Sequence, residues 1–248
     1  MTLAKYIYRA VVSNEEYARY ILAEQIISRV YPRYKFSEFG RLFLDDTNFI
    51  AAYERFRGNN YHSLDRTYTA YQLAKLVRRL DGDTAECGAY TGATSYFICQ
   101  QISSLNKEHH VFDSFEGLSQ PEPVDGSYWK TGDLAVSETS IRENLKEFDF
   151  VRFYKGWIPQ RFVDVQKKRF CFVHVDVDLY QPTLDSLDFF YPRMTCGGLI
   201  LCDDYGFRSC PGAKNAMDSY FSDKPDLVIA LPTGQAFVLC HTKGPHVD

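Results

Sequence analysis

His174-Val175-Asp176-Val177-Asp178-Leu179-Tyr180 closes an apolar run with paired acids, and Gly197-Gly198-Leu199-Ile200-Leu201-Cys202-Asp203-Asp204-Tyr205 repeats the pattern. A short, continuously apolar run suits a strand buried on both faces of a parallel sheet. In such sheets ligands bind in the crevice outside the carboxyl ends of the strands. Two neighbouring runs of this kind bring Asp176, Asp178, Asp203 and Asp204 to one rim. Burying carboxylates unpaired is costly, so the cluster needs a counter-charge. A hard divalent cation, Mg²⁺ or a similar ion rather than zinc, suits an all-oxygen donor set. Asp178 and Asp204 also read well as helix caps, and His174 alternates within its strand and is expected to face a helix layer.

Working outward, strands and helices alternate from residue 82 on. Strands are expected at Thr84–Cys87, His109–Asp113, Val151–Lys155, Cys171–Asp176, Leu199–Asp203, Leu227–Ala230 and Ala236–Cys240. Helices are expected at Ser95–Ser104, Ser140–Glu147, Thr183–Phe190 and Gly212–Phe221. Alternating βα units predict an α/β fold with a doubly wound, mostly parallel, seven-stranded sheet. Leu231-Pro232-Thr233-Gly234-Gln235 is too short for a helical crossover, so the last two strands form an antiparallel hairpin. Residues 61–248 are expected to form this domain and residues 1–60 a helical N-terminal extension with substrate or subunit contacts. Within the extension, Tyr17, Ile21, Leu22 and Ile26 keep helical spacing, and Arg41–Asn48 reads as a loop with an Asp-rich turn. Asp65-Arg66-Thr67 starts a further helix through Leu80.

The first strand runs into Glu86-Cys87-Gly88-Ala89-Tyr90-Thr91-Gly92-Ala93-Thr94-Ser95 and a helix. Glycine permits the tight turn and the close approach of backbone to a ligand, and the helix N-terminus beyond it offers N–H groups. The spacing is neither G-x-G-x-x-G nor a Walker loop, so a ligand with a carboxylate and a nucleoside fits better than a pyrophosphate. Asp113, which ends the second strand 27 residues after Glu86, can accept from a ribose diol. Tyr128-Trp129-Lys130 sits in a Pro/Gly/Ser-rich stretch of the kind that forms lids.

Composition excludes several classes. The net charge is -4 with no basic stretch, which argues against a nucleic-acid partner. No apolar run is long enough to span a membrane, and the N-terminus lacks a secretory core. Seven cysteines without a C-x-x-C pair argue against a zinc site or disulfide framework and for reduced, buried thiols in the cytoplasm.

These residues together resemble the macrocin O-methyltransferase family. The matching elements are Glu86-Cys87-Gly88-x-Tyr90-x-Gly92, Asp113-Ser114-Phe115-Glu116-Gly117-Leu118, Gly156-Trp157, Asp176-x-Asp178-Leu179-Tyr180 with Thr183, Tyr191-Pro192, Gly197-Gly198 and Asp203-Asp204-Tyr205-Gly206. The resemblance implies a class I methyltransferase (Rossmann-like) fold and an O-methyltransferase that uses S-adenosyl-L-methionine. It implies that the cofactor lies against Glu86, Cys87, Gly88, Ala89, Tyr90, Thr94 and Ser95 on one side. Asp113, Ser114, Phe115, Gly156, Trp157 and Asp176 complete that site, with Trp157 near the adenine. It implies Mg²⁺ on Asp176, Asp203 and Asp204, with Asp176 also the general base. The acceptor implied is a hydroxyl of a sugar or related small molecule in a natural product or polysaccharide. Thr91 and Gln181 depart from the pattern, where a long residue and Glu are expected. The aromatic-rich helical N-terminus points to a homodimer. The competing readings are an NAD-dependent nucleotide-sugar oxidoreductase and a catalytically silent partner subunit of the same fold.

Overall fold

The computed structural model describes residues 3–33, 42–58 and 61–241. Strands β1 (Asp83–Cys87), β2 (His109–Asp113), β3 (Val151–Lys155), β4 (Phe170–Val175), β5 (Met194–Cys202), β6 (Ile229–Ala230) and β7 (Ala236–Leu239) form one sheet. Their order is β3-β2-β1-β4-β5-β7-β6. The first five strands pair in parallel, and β7 runs antiparallel to both β5 and β6. The expected closing hairpin is therefore present, although its first strand keeps only Ile229 and Ala230 of the predicted Leu227–Ala230. The order reverses between β1 and β4. The crevice at their carboxyl ends is the topological switch point, where ligands bind in such sheets.

The core explains why these strands are central. Every residue of β4 is buried. Val173, Val175, Ile200 and Cys202 pack in one cluster with Leu187 and Phe190 of α7 (Tyr180–Phe190) and Ala213 and Met217 of α8 (Pro211–Phe221). Phe172, Leu199 and Leu201 pack on the opposite face with Ala70, Ala74 and Val77 of α4 (Leu64–Val77) and Ile98 of α5 (Ala93–Ile102). A sheet covered on both faces leaves its strand ends as the place for polar groups. Helix α6 (Glu138–Asn144) starts and stops earlier than the predicted Ser140–Glu147, because Ser137 caps it by accepting from Ser140 N–H at 3.2 Å.

Contacts divide the chain between Glu54 and Arg55. In the first unit α1 (Leu3–Val11) and α2 (Glu16–Val30) are joined by Arg9 Nε donating to Glu15 at 2.6 Å. The expected loop over Arg41–Asn48 is only partly a loop. Arg41 lies outside the described residues, Leu42–Leu44 form a 3₁₀ turn, and α3 (Thr47–Arg55) already contains Thr47 and Asn48. Asp46 accepts from Phe49 N–H at 3.0 Å, so the acid read as a turn residue is a helix cap. Six of the seven cysteines are buried and all seven are free; Cys196 is exposed. No helix of the described residues is long and apolar enough to cross a membrane.

Candidate functional site

The site is built on the turn after β1. Gly88 has φ +76°, and a Cβ there would lie 1.9 Å from the carbonyl oxygen of Asp176. Only glycine lets β1 and β4 run this close at the switch point. Beyond it the chain passes through Tyr90 (φ 47°) and Gly92 (φ 82°) into α5. Asp113 holds this turn: Oδ2 accepts from Ala89 N–H at 2.8 Å and Tyr90 N–H at 3.2 Å, and Oδ1 accepts from Phe115 N–H at 2.7 Å. Burial still raises the proton affinity of Asp113, against these three backbone donors.

A cleft of about 360 Å³ opens above the turn, within the range of small-molecule sites. Glu86, Gly88, Ala89, Tyr90, Thr94, Asp113, Ser114, Gly156, Trp157, Asp176 and Asp204, all expected at the site, line it. Four others are not among the residues that line it. Cys87 packs in the core on the far face of the sheet, and burial pushes its thiol up to about 12. Ser95 is fully buried, its hydroxyl donating to Glu86. Phe115 is held at φ 59°, with its N–H turned to Asp113. Asp203 is fully enclosed. Cys87, Ser95 and Phe115 contribute side chains or N–H groups that brace the wall. The lid expectation concerns Tyr128 and Trp129, which both line the cleft. Trp129 Nε1 donates to Cys210 Sγ at 3.3 Å, and Asp125 ties the same loop to the start of α7 by accepting from Tyr180 N–H at 2.6 Å.

The acids at the rim divide into two groups. Asp178, Asp204 and Cys210 form one: Asp204 Oδ2 accepts from Asp178 N–H at 3.0 Å, and Cys210 Sγ donates to Asp178 Oδ1 at 3.4 Å. Burial, then the neighbouring Asp176 charge, raises Asp178 to about 7. Burial and the Asp178 and Asp176 charges push Asp204 up as well. The other group is His62, Asp176 and Asp203. His62 Nε2 lies 3.1 Å from Asp176 Oδ2 and 3.4 Å from Asp203 Oδ2. Burial opposes ionisation of Asp176, but the charge and hydrogen bond of His62 prevail and hold it down at about 2.

Behind the rim runs a buried polar chain that the sequence reading did not foresee. β1 and β4 place Glu86 directly beside His174. His174 Nδ1 lies 2.8 Å from Glu86 Oε1, and its Nε2 lies 3.2 Å from Asp203 Oδ1. Gln235 Nε2 donates to the same Asp203 oxygen at 2.6 Å, while Arg66 pairs with Asp203 Oδ2 and stacks 4.3 Å over Phe207. On the other side Ser95 joins Glu86 to His109 Nε2 at 2.9 Å, and Thr84 reaches His109 Nδ1 at 2.8 Å. Burial lowers His109 to about 3, so this ring is neutral at physiological pH. His174 thus faces the α4 and α5 side as expected, yet its partners there are acids rather than an apolar layer.

His62, Arg66, Phe207, Cys210 and Gln235 were not picked out from the sequence. One signal was available. Arg66 sits in the first turn of α4, where the helix dipole disfavours a cation. A cation in that position is held by acids from elsewhere in the fold.

Carboxylates this crowded, two of them with raised proton affinity, suit a divalent cation by their chemistry. Arg66 already supplies part of the counter-charge at Asp203, and at 3.9 Å from Asp204.

The family model described as macrocin-O-methyltransferase matches residues 68–225. The chain is 30% identical over 167 residues to a demethyldecarbamoylnovobiocin O-methyltransferase of Streptomyces niveus, covering 58% of this chain and 60% of that protein. It is 28% identical over 145 residues to a mycinamicin III 3''-O-methyltransferase of Micromonospora griseorubida, covering 52% of this chain and 57% of that protein. The chain therefore spans about three fifths of the length of the curated relatives it matches. Among solved structures, the O-methyltransferase NovP superposes with a TM-score of 0.58 at 27% identity, over 74% of this chain and 84% of that one. The calicheamicin methyltransferase CalS11 superposes with a TM-score of 0.65 over 87% of this chain and 90% of that one, at 17% identity, a likeness of fold alone.

Proposed function

The chain belongs to the macrocin O-methyltransferase family, and from that premise we propose that it transfers a methyl group from S-adenosyl-L-methionine to a hydroxyl of a sugar-like small molecule. The observation that carries this reading is the cleft at the switch point, which joins a nucleoside-sized groove to an acid rim in one cavity. Asp113 keeps acceptor capacity for a ribose diol beyond the three backbone donors it already serves. The α5 N-terminus, opening on the cleft at Ala93 and Thr94, offers N–H groups to a carboxylate. Trp157, 40% exposed at the wall, gives a planar face for adenine. The relatives' names (novobiocin, mycinamicin) support a glycosylated natural product as acceptor.

The cofactor supplies a sulfonium methyl, and in-line placement of the acceptor oxygen supplies much of the rate. Asp176 stays ionised and faces the cleft, so it accepts the hydroxyl proton, while its low proton affinity makes it a weak base. Asp176, Asp203 and Asp204 would hold a divalent cation such as Mg²⁺, which polarises an acceptor hydroxyl when bound. Trp129 and Tyr128, which line the cleft, would close over a bound acceptor and exclude water. Self-association through α1, which exposes Tyr8 and Val11, is part of the same proposal. The oxidoreductase reading has less support, because the turn at Gly88 lacks the dinucleotide glycine spacing.

The test is calorimetric titration of S-adenosylhomocysteine and, separately, NAD into the protein. Micromolar binding of the first alone, with methyl transfer from labelled cofactor to a deoxysugar glycoside, is expected. Binding of NAD alone would overturn the proposal.

A further inference from the structure

We propose that His62 is a direct ligand of a divalent cation, completing a site with Asp176 and Asp203 that favours Mn²⁺ over Mg²⁺. The inference rests on the reading above that the acid rim takes a divalent ion. It goes beyond that reading in the donor set and in the metal that this set selects.

Three observations carry it. The first is spacing. His62 Nε2 stands 3.1 Å from Asp176 Oδ2 and 3.4 Å from Asp203 Oδ2, and the three donors lie within 4.8 Å of one another. Donors each about 2.1 Å from one ion, at octahedral or tetrahedral angles, lie about 3.0–3.4 Å apart. The second is the far side of the ring. His62 Nδ1 lies 3.1 Å from Thr94 Oγ1. A ligating imidazole donates its other N–H to an outer partner, which fixes the tautomer and turns the ligating nitrogen toward the ion. With Nδ1 turned to Thr94, Nε2 faces both carboxylates, the position from which it can join them around an ion. The third is Asp203 Oδ2. It is fully enclosed, makes no regular hydrogen bond, and has Arg66 as its close cation. A carboxylate oxygen carries two lone pairs, so Asp203 can keep Arg66 and still offer one to an ion.

One imidazole with carboxylates suits a borderline ion better than Mg²⁺, which prefers an octahedron of oxygens and sheds water reluctantly. Asp204 lies outside this trio; its Oδ2 serves Asp178 N–H, and its Oδ1 stays available as the further donor of the reading above. The alternative is an imidazolium that pairs with Asp176 and leaves the ion to the carboxylates alone.

The experiment is Mn²⁺ titration of the full chain, read by electron paramagnetic resonance, with electron-spin-echo modulation to detect a coordinated nitrogen. Mg²⁺ is titrated by competition, and the same measurements are made on His62→Gln. The expected result is ¹⁴N modulation in the wild-type protein, Mn²⁺ binding at least tenfold tighter than Mg²⁺, and loss of both the modulation and most of that preference in His62→Gln. S-adenosylhomocysteine binding by the variant, unchanged within about threefold, certifies its fold. Mn²⁺ that binds tightly without nitrogen modulation overturns His62 as a ligand and leaves the carboxylate site standing. A wild-type protein that binds neither ion overturns the metal reading itself.

Discussion

Gly88→Ala tests the geometry on which the whole site rests. Two costs add. At φ +76° an L-residue in the left-handed region loses roughly 1–2 kcal/mol relative to glycine. The new Cβ would also lie 1.9 Å from the Asp176 carbonyl oxygen. Reaching ordinary contact requires the two segments to separate by more than an ångström. That movement strains the Asp176 N–H bond to Cys87 O, now 2.9 Å, and the Gly88 N–H bond to Phe112 O, also 2.9 Å. Weakening one of them adds about 1 kcal/mol, so a total of about 2–3 kcal/mol is expected. For a unit of this size that corresponds to a melting temperature lower by about 4–12 °C. The separation also carries the Asp176 carboxylate away from the acceptor, and a misplacement of about 1 Å costs roughly a hundredfold in turnover. Differential scanning calorimetry and labelled methyl transfer at saturating cofactor read the two effects. A Gly88→Ala protein with wild-type melting temperature and turnover would refute the close approach of β1 and β4 as the determinant of the site.

Two further outcomes follow from the rim and the lid. Burial and the Asp176 charge raise Asp178 to about 7, above its ordinary 3.8, so the folded chain holds a proton that the unfolded chain has lost across that window. Stability from this group therefore falls as pH rises from about 3.8 to 7 and stays low above it. Asp178→Asn, melted in EDTA, is expected to gain several degrees over wild type at pH 8 and nothing at pH 4; an equal gain at both would show that its charge is irrelevant. Trp129→Ala removes the hydrogen bond to Cys210 and frees the loop tip. Its acceptor KM should rise about tenfold, with S-adenosylhomocysteine affinity within twofold of wild type, and a rise in the cofactor's Kd instead would assign Trp129 to the cofactor.

What could be read from the chain depended on whether the controlling contact was local. β4 and the Leu199–Cys202 part of β5 were legible because a strand segment buried on both faces must be apolar, and the acids after Val175 and Cys202 mark where that burial ends; the partly exposed start of β5 at Met194–Gly197 was not. Asp113 was legible by the same rule. The extent of α3 was not, because Asp46 serves a turn and a helix cap equally well until the following residues choose. His174 shows the deeper obstacle. Its parity fixed its face, which it shares with Phe172, but a polar residue on a buried face is explained only by what the neighbouring strands put opposite it. Glu86 meets it from β1, 88 residues away, and Asp203 from just beyond β5, 29 residues away. His62 is more remote still, carried to the rim by the segment before α4 with no periodic pattern to flag it.

These nonlocal contacts give the site its rigidity. Glu86 underlies the turn after β1, Asp203 sits at the acid rim, and His174 spans them inside the sheet with all three side chains essentially enclosed. A buried carboxylate tolerates enclosure only while its partners stay in place, since an orphaned charge there is strongly destabilising. Under the proposed function, the cofactor side and the acceptor side are thus held to one geometry by strand ends rather than by loops, which favours precise placement of reacting groups. Under the same proposal, the choice of acceptor then falls to the parts the sheet does not fix, the loop bearing Tyr128 and Trp129 and the segment bearing Tyr61 and His62, which line the same cleft.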